Sequence, residues 1–154
     1  MEWAIMIAVL VLDQISKYWI QMNTALHAHI EIIKDFFYID YVRNTGAAWS
    51  LFSGKVPFLT VVSIVEMIVI AVILIRMHRR HETAYCVSLS LMLGGAAGNL
   101  IDRVMLGYVR DFLHFYPLGY SFPVFNIADC GITIGMFIVI ILMFLEERKE
   151  KETA

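Results

Sequence analysis

Residues 56–75 read VPFLTVVSIVEMIVIAVILI, twenty positions with one ionisable side chain, Glu66. A helix of about 20 mostly apolar residues is what crossing roughly 30 Å of hydrocarbon requires, and no soluble core of this size needs such a run. Three further stretches come close to the same length and character: about 3–22, 84–106 and 124–145. No series of alternating ten-residue strands that could close a barrel is present, so the backbone must satisfy itself within helices. The expectation is an all-α integral membrane fold of four transmembrane helices, with residues 1–154 forming a single domain and outer loops at 23–55 and 107–123. Composition agrees: 60% of the 154 residues are hydrophobic, 17% are charged and the mean hydropathy is +0.72. The balance of 12 basic against 14 acidic residues leaves no basic face for nucleic acid.

Orientation follows from where Lys and Arg are dense. Arg76, Arg79 and Arg80 crowd the 76–83 turn, and Arg148, Lys149 and Lys151 the tail, six charges in about 17 residues; the longer connections carry Lys34, Arg43, Lys55, Arg103 and Arg110, five in about 54. Both termini and that turn are therefore expected in the cytoplasm. The Met1-Glu2-Trp3 start lacks a basic n-region, and the apolar run that follows outlasts an h-region, so it reads as a retained first span. Ile30 to Val42 (IEIIKDFFYIDYV) alternates imperfectly and suggests short strands on the membrane surface. The tail EERKEKETA reads as a solvated end. Trp3, Tyr18, Trp19 and Trp49 read as interfacial anchors.

Ionisable groups within spans point to function by default. Asp13 and Lys17, four apart on helix 1, can pair on one face, either as a structural tie or as part of a site. Asn99, Asp102 and Arg103 share a face near the outer end of helix 3. Asn126 and Asp129 repeat the Asn/Asp spacing at the outer start of helix 4, and Asp111 follows helix 3. Three aspartates thus occupy one layer at the membrane boundary. Asp102 reads as a structural partner of Arg103 or Arg110. Asp111 and Asp129 read as an acid pair, in which one carboxyl keeps its proton while the other activates water. Gly94-Gly95-Ala96-Ala97-Gly98 contains a GxxxG and reads as a helix-packing face. Cys86 and Cys130 lack metal or disulfide spacing and read as packing residues. His27-Ala28-His29 and His78/His81/Glu82 read as solvated loop residues. Glu66, near the middle of its span, is either a protonated or bonded Glu or part of a proton relay. A transporter built on Glu66 and the Asp13/Lys17 pair, and a non-enzymatic assembly protein packing through Gly94 and Gly98, are the alternatives; the first would cluster its polar groups at the midplane.

Five motifs in order resemble the bacterial lipoprotein signal peptidases, also called type II signal peptidases: Asp13-Gln14-Ile15-Ser16-Lys17; Asn44-Thr45-Gly46-Ala47-Ala48-Trp49; Gly94 to Arg103 (GGAAGNLIDR); Val109-Arg110-Asp111-Phe112; and Phe125-Asn126-Ile127-Ala128-Asp129. The resemblance implies an aspartic endopeptidase that removes signal peptides from prolipoproteins by cutting before the diacylglyceryl-modified Cys. It places the catalytic pair on Asp111 and Asp129, and a supporting, substrate-positioning shell on Asn44, Gly46, Asn99, Asp102, Arg103 and Asn126, with Asp13 and Lys17 matching its helix-1 motif. It further implies a small extracytoplasmic β-cradle, a mobile surface helix over the site, blockage by the depsipeptide globomycin, and no metal or organic cofactor. The expected setting is the bacterial cytoplasmic (inner) membrane, the enzyme acting as a monomer on lipid-modified precursors with its site facing the extracytoplasmic side. Arg110 stands where the resemblance leads one to expect an apolar residue, and Glu66 belongs to none of the motifs.

Overall fold

The chain was analysed as a computed structural model that describes residues 1–47, 49 and 51–153. Among the described residues, four helices are long and apolar enough to span a membrane: α1 (Glu2–Asn23), α2 (Val56–Arg79), α3 (Thr83–Leu106) and α4 (Ile127–Thr153). Their lipid-side faces are apolar and open, as at Ile7, Val11 and Ile15 on α1, Val61, Val65 and Ile68 on α2, and Phe137, Ile141 and Phe144 on α4. The expected anchors Trp3, Tyr18 and Trp19 are likewise exposed. α3 is the inner helix and packs against the other three. Toward the 76–83 turn its contacts are apolar: Ile70 and Leu74 of α2 meet Cys86, Leu89 and Leu93.

The GGAAG stretch is where α3 comes closest to its neighbours. A Cβ at Gly94 would lie 2.6 Å from the Met6 carbonyl oxygen of α1; one at Gly95 would collide with the Ala128 carbonyl oxygen of α4, and one at Gly98 with the Asp13 carboxylate. The small-residue face therefore packs helix on helix, as its pattern suggests. Gly95→Ala is expected to lower stability by about 1–3 kcal/mol, because the obstacle is backbone and cannot rotate away. Thermal unfolding in detergent checks this.

Between the helices the chain builds a three-stranded antiparallel sheet in the order β1-β2-β3: β1 (His29–Ile33), β2 (Phe37–Asn44) and β3 (Val109–Phe115). The first two strands fall within the segment expected to form them, although His29 starts β1 instead of lying in a loop. The third replaces the expected outer loop after helix 3. In register, Asn44 lies opposite Val109 and Val42 opposite Asp111, with an irregularity between Ile39 and Val42. Ile20 of α1 packs with Tyr41 and Phe112, joining the sheet to the bundle.

Two helix ends differ from expectation. Helix 4 begins at Ile127, not 124, because Phe125 still pairs with Leu113 of β3 and Asn126 then caps the helix. At the other end α4 continues through the charged tail, where Glu147–Lys151 and Arg148–Glu152 contacts at four-residue spacing support it. In the Thr45–Lys55 connection residues 51–54 form turns, with Ala47 N–H donating to Leu51 O and Lys55 N–H to Phe52 O. Residue 48 of the Asn44–Trp49 motif, and residue 50 beyond it, lie outside the described residues.

Candidate active site

The polar residues gather at the end of the bundle that carries the sheet. The start of α4 organises them. Asn126 is the cap: its Oδ1 accepts the Asp129 N–H at 3.1 Å, while Asp129 Oδ2 accepts the Asn126 N–H at 3.0 Å. This reciprocal pair is a capping box with Asp in the place usually held by Glu, and it fixes the Asp129 carboxylate against its own helix. The N–H of Ala128, another donor left over in that first turn, is taken by Asp13 Oδ1 at 2.9 Å.

An array of amides joins this helix to β3. Asn126 Nδ2 donates to Asp111 Oδ1 at 2.6 Å and to Asn99 Oδ1 at 3.2 Å; Asn99 Nδ2 donates to Asp129 Oδ1 at 2.8 Å. Asn44, across the sheet from the start of β3, donates from Nδ2 to Asp111 Oδ2 at 2.9 Å, and its Oδ1 accepts the Gly46 N–H. Each carboxylate thus receives two neutral N–H donors, and one asparagine, Asn126, touches both. Lys17 Nζ enters indirectly, donating to Asn99 Oδ1 at 2.9 Å.

Behind this lies a second network, built on the fully buried Asp13, Lys17 and Asp102. Lys17 and Asp13 are 2.9 Å apart with no exposed side-chain surface, and Lys17 is 3.7 Å from Asp102. Asp102 is clamped by Arg110: the backbone N–H and Nε reach Oδ2, and Nη2 reaches Oδ1 at 2.6 Å. Arg110 also donates to Gln21 Oε1 and Gln14 Oε1, and Gln14 Nε2 donates to Asp102 Oδ1. The partner of Asp102 is therefore Arg110. Arg103 turns away to Ser63 Oγ of α2 at 3.4 Å, in the electrostatic field of Asp129, Asp111 and Glu66. Glu66 itself is exposed on α2, one turn beyond Ser63. Gln14 and Gln21 were not singled out in the sequence; with Lys17 they fall at i, i+3 and i+7, one face of α1, which is the signal that could have found them.

Electrostatics distinguish Asp111. Alternation along β3 points it away from Arg110, and it is 2% exposed. Burial above all, and then the charge of Asp129, push its carboxyl up to about 7, against the pull of the Asn44 and Asn126 hydrogen bonds. Because the folded chain keeps a proton that the unfolded chain releases, stability should fall as pH rises from about 4 to about 7 and level off above. Asp111→Asn should flatten that slope, as unfolding midpoints measured across this range would reveal.

Four spanning helices, a small sheet on one end, and two carboxylates held by amides at the junction describe a polytopic membrane protein with a polar cluster at one end of its bundle. Residues 5–145 match the family described as signal peptidase (SPase) II, Peptidase_A8. The chain belongs to the signal peptidase II family and is an aspartic endopeptidase of that type. Two solved structures are similar along their length. One, a bacterial membrane enzyme determined by the in meso method at 2.3 Å, is 36% identical with a TM-score of 0.87, covering 98% of this chain and 92% of that one. The other, determined by the same method at 1.9 Å, is 36% identical with a TM-score of 0.80, covering 92% and 91%.

Proposed function

We propose that Asp111 and Asp129 are the catalytic pair, and that they hydrolyse the peptide bond preceding the diacylglyceryl-modified Cys of prolipoproteins. The observation that carries this reading is the shared amide array, in which Asn126 holds both carboxylates and, among the described residues, no basic side chain is hydrogen-bonded to either. Asp102 differs from both, since its carboxylate is matched by the Arg110 cation.

Asp111, the group that retains its proton, protonates the oxyanion and is reprotonated by a gem-diol hydroxyl as the C–N bond breaks, while Asp129 passes to the leaving amine the proton that it takes from water. Ionised Asp129 takes a proton from water as the water attacks the carbonyl carbon. Every proton gained by the products therefore comes from water, and the pair returns to its singly protonated state. Asn44, Asn99 and Asn126 hold the carboxylates. Asp13 and Lys17 anchor Asn99 and the start of α4, and Arg103, held by Ser63 in the field of both carboxylates, is the basic side chain that meets substrate. Gly46 turns the chain into the Thr45–Lys55 connection, which takes the role of the surface segment over the site. Since one chain supplies all of these groups, the enzyme acts as a monomer.

The density of Lys and Arg at the opposite end of the bundle supports an extracytoplasmic site in the bacterial inner membrane, with both termini in the cytoplasm. A substrate whose acyl chains hold its Cys at the interface meets the pair at that depth. The test is cleavage of a synthetic diacylglyceryl-Cys signal peptide by purified protein in lipid, beside an unlipidated copy. Cutting before the Cys that requires the lipid is expected; absence of cleavage by folded protein would overturn the reading. With one proton shared, kcat/KM should decline above about pH 7, tenfold per unit, as the Asp111 proton is lost. A profile flat through pH 9 would contradict this assignment of the proton.

A further inference from the structure

The sheet carries a second constellation, on the face of β3 opposite Asp111. One residue from each strand meets there: His29 of β1, Asp40 of β2 and His114 of β3. His29 lies opposite Asp40 in register, and its Nδ1 is 2.7 Å from Oδ1; His114 Nδ1 is 2.5 Å from Oδ2. One ligand atom from each residue falls within 4.8 Å of the others. The reaction proposed above uses none of the three.

Two imidazoles and a carboxylate form a donor set suited to zinc-class ions, which bind nitrogen and oxygen at about 2.0–2.2 Å. Tetrahedral ligands at that range lie about 3.3 Å apart, so an ion entering here widens the present contacts by less than about 1 Å, within reach of a carboxylate rotation. The surroundings also suit a ligand role. Ser121 Oγ is 3.0 Å from His114 Nε2, and a hydroxyl that either donates or accepts can keep this contact when the ring proton shifts to Nε2 and frees Nδ1. Tyr38 stacks on His29 at 4.4 Å, and the Tyr116 ring lies 4.4 Å from that of His114, so both imidazoles are oriented by neighbours. The His29 side chain is 54% exposed and that of His114 8%, which opens one side to solvent and encloses the other.

We propose that His29, Asp40 and His114 form a binding site for one divalent transition-metal ion of the zinc class, held by a nitrogen of each imidazole and a carboxylate oxygen, with water completing the shell. Loading through Nδ1 places each ring proton on Nε2, and it cross-links all three strands. Because β2 and β3 also carry Asn44 and Asp111, the ion braces the sheet that supports one half of the carboxylate pair.

Equilibrium dialysis of tag-free protein in detergent against zinc at about pH 7.5 is the test. One zinc per chain is expected. Affinity should fall by at least about tenfold in His29→Ala and in Asp40→Asn. His29 is exposed, so its variant should fold as wild type does. The thermal midpoint should rise with zinc in wild type and not in His29→Ala. His78→Ala, which dismantles the separate Glu2/His78/Cys86 group near the other end of the bundle, should bind zinc as wild type does. No zinc on the wild-type protein, unchanged affinity in His29→Ala, or loss only in His78→Ala would each overturn the proposal.

Discussion

Asp129→Asn should fold and yet lose activity by about 10³- to 10⁴-fold, the range associated with removing an acid–base group. Asp129 Oδ2 accepts from the Asn126 N–H and Oδ1 from Asn99 Nδ2. An asparagine amide keeps an oxygen for one of these and turns an NH₂ toward the other. Asn99 cannot flip to accommodate it, because its Oδ1 already accepts from Lys17 and Asn126. The substitution therefore removes about one hydrogen bond, or ~1 kcal/mol, partly offset by the buried charge that disappears. Asp111→Asn is gentler still, since its Asn44 partner can rotate at the expense only of the Gly46 contact. Both variants should melt within a few degrees of wild type, with the loss confined to kcat. Near-normal cleavage by either folded variant would falsify the paired-aspartate mechanism.

Asp102→Ala should instead destabilise the fold by about 3–5 kcal/mol, the usual range when one member of a buried ion pair is removed. The cavity it leaves faces the Arg110 guanidinium, a backbone N–H and Gln14, with Lys17 just beyond. Two buried cations would then share one carboxylate, Asp13. For a chain of this length the thermal midpoint should drop by roughly 10 °C. The double variant Asp102→Ala/Arg110→Met should recover much of this, because an apolar side chain has no unmet charge, and the double-mutant cycle measures the coupling directly. If the single variant melts as wild type does, the network is not what holds β3 to the bundle.

The spans were legible because lipid demands length and apolarity, and those are written residue by residue. So was the Asn126/Asp129 spacing, although its meaning as a capping box depends on where α4 begins. The third strand was not. Residues 109–115 alternate as a strand should, but both faces are buried against polar partners: Arg110 and His114 meet Asp102 and Asp40 on one side, and Asp111 meets asparagines on the other. A strand with polar groups on both faces has no hydrophobic period to read. The choice between Arg103 and Arg110 as the partner of Asp102 was open for a related reason, since it turns on a chain reversal at Gly107 that brings Arg110 back over α3.

The buried ion network also bears on how this protein enters a membrane. The first helix carries Lys17 one turn after Asp13, and the two contact each other at 2.9 Å within a single segment. The third carries Asp102, whose partner Arg110 follows eight residues later. Each segment emerging from a ribosome therefore brings its own counter-charge, so neither helix must partition into lipid as a bare ion while waiting for the other. Only after the hairpins meet do Lys17 and Asp102 come within 3.7 Å and merge two locally neutral pairs into one. The order of these residues along the chain and their final packing thus favour the same charge pairing.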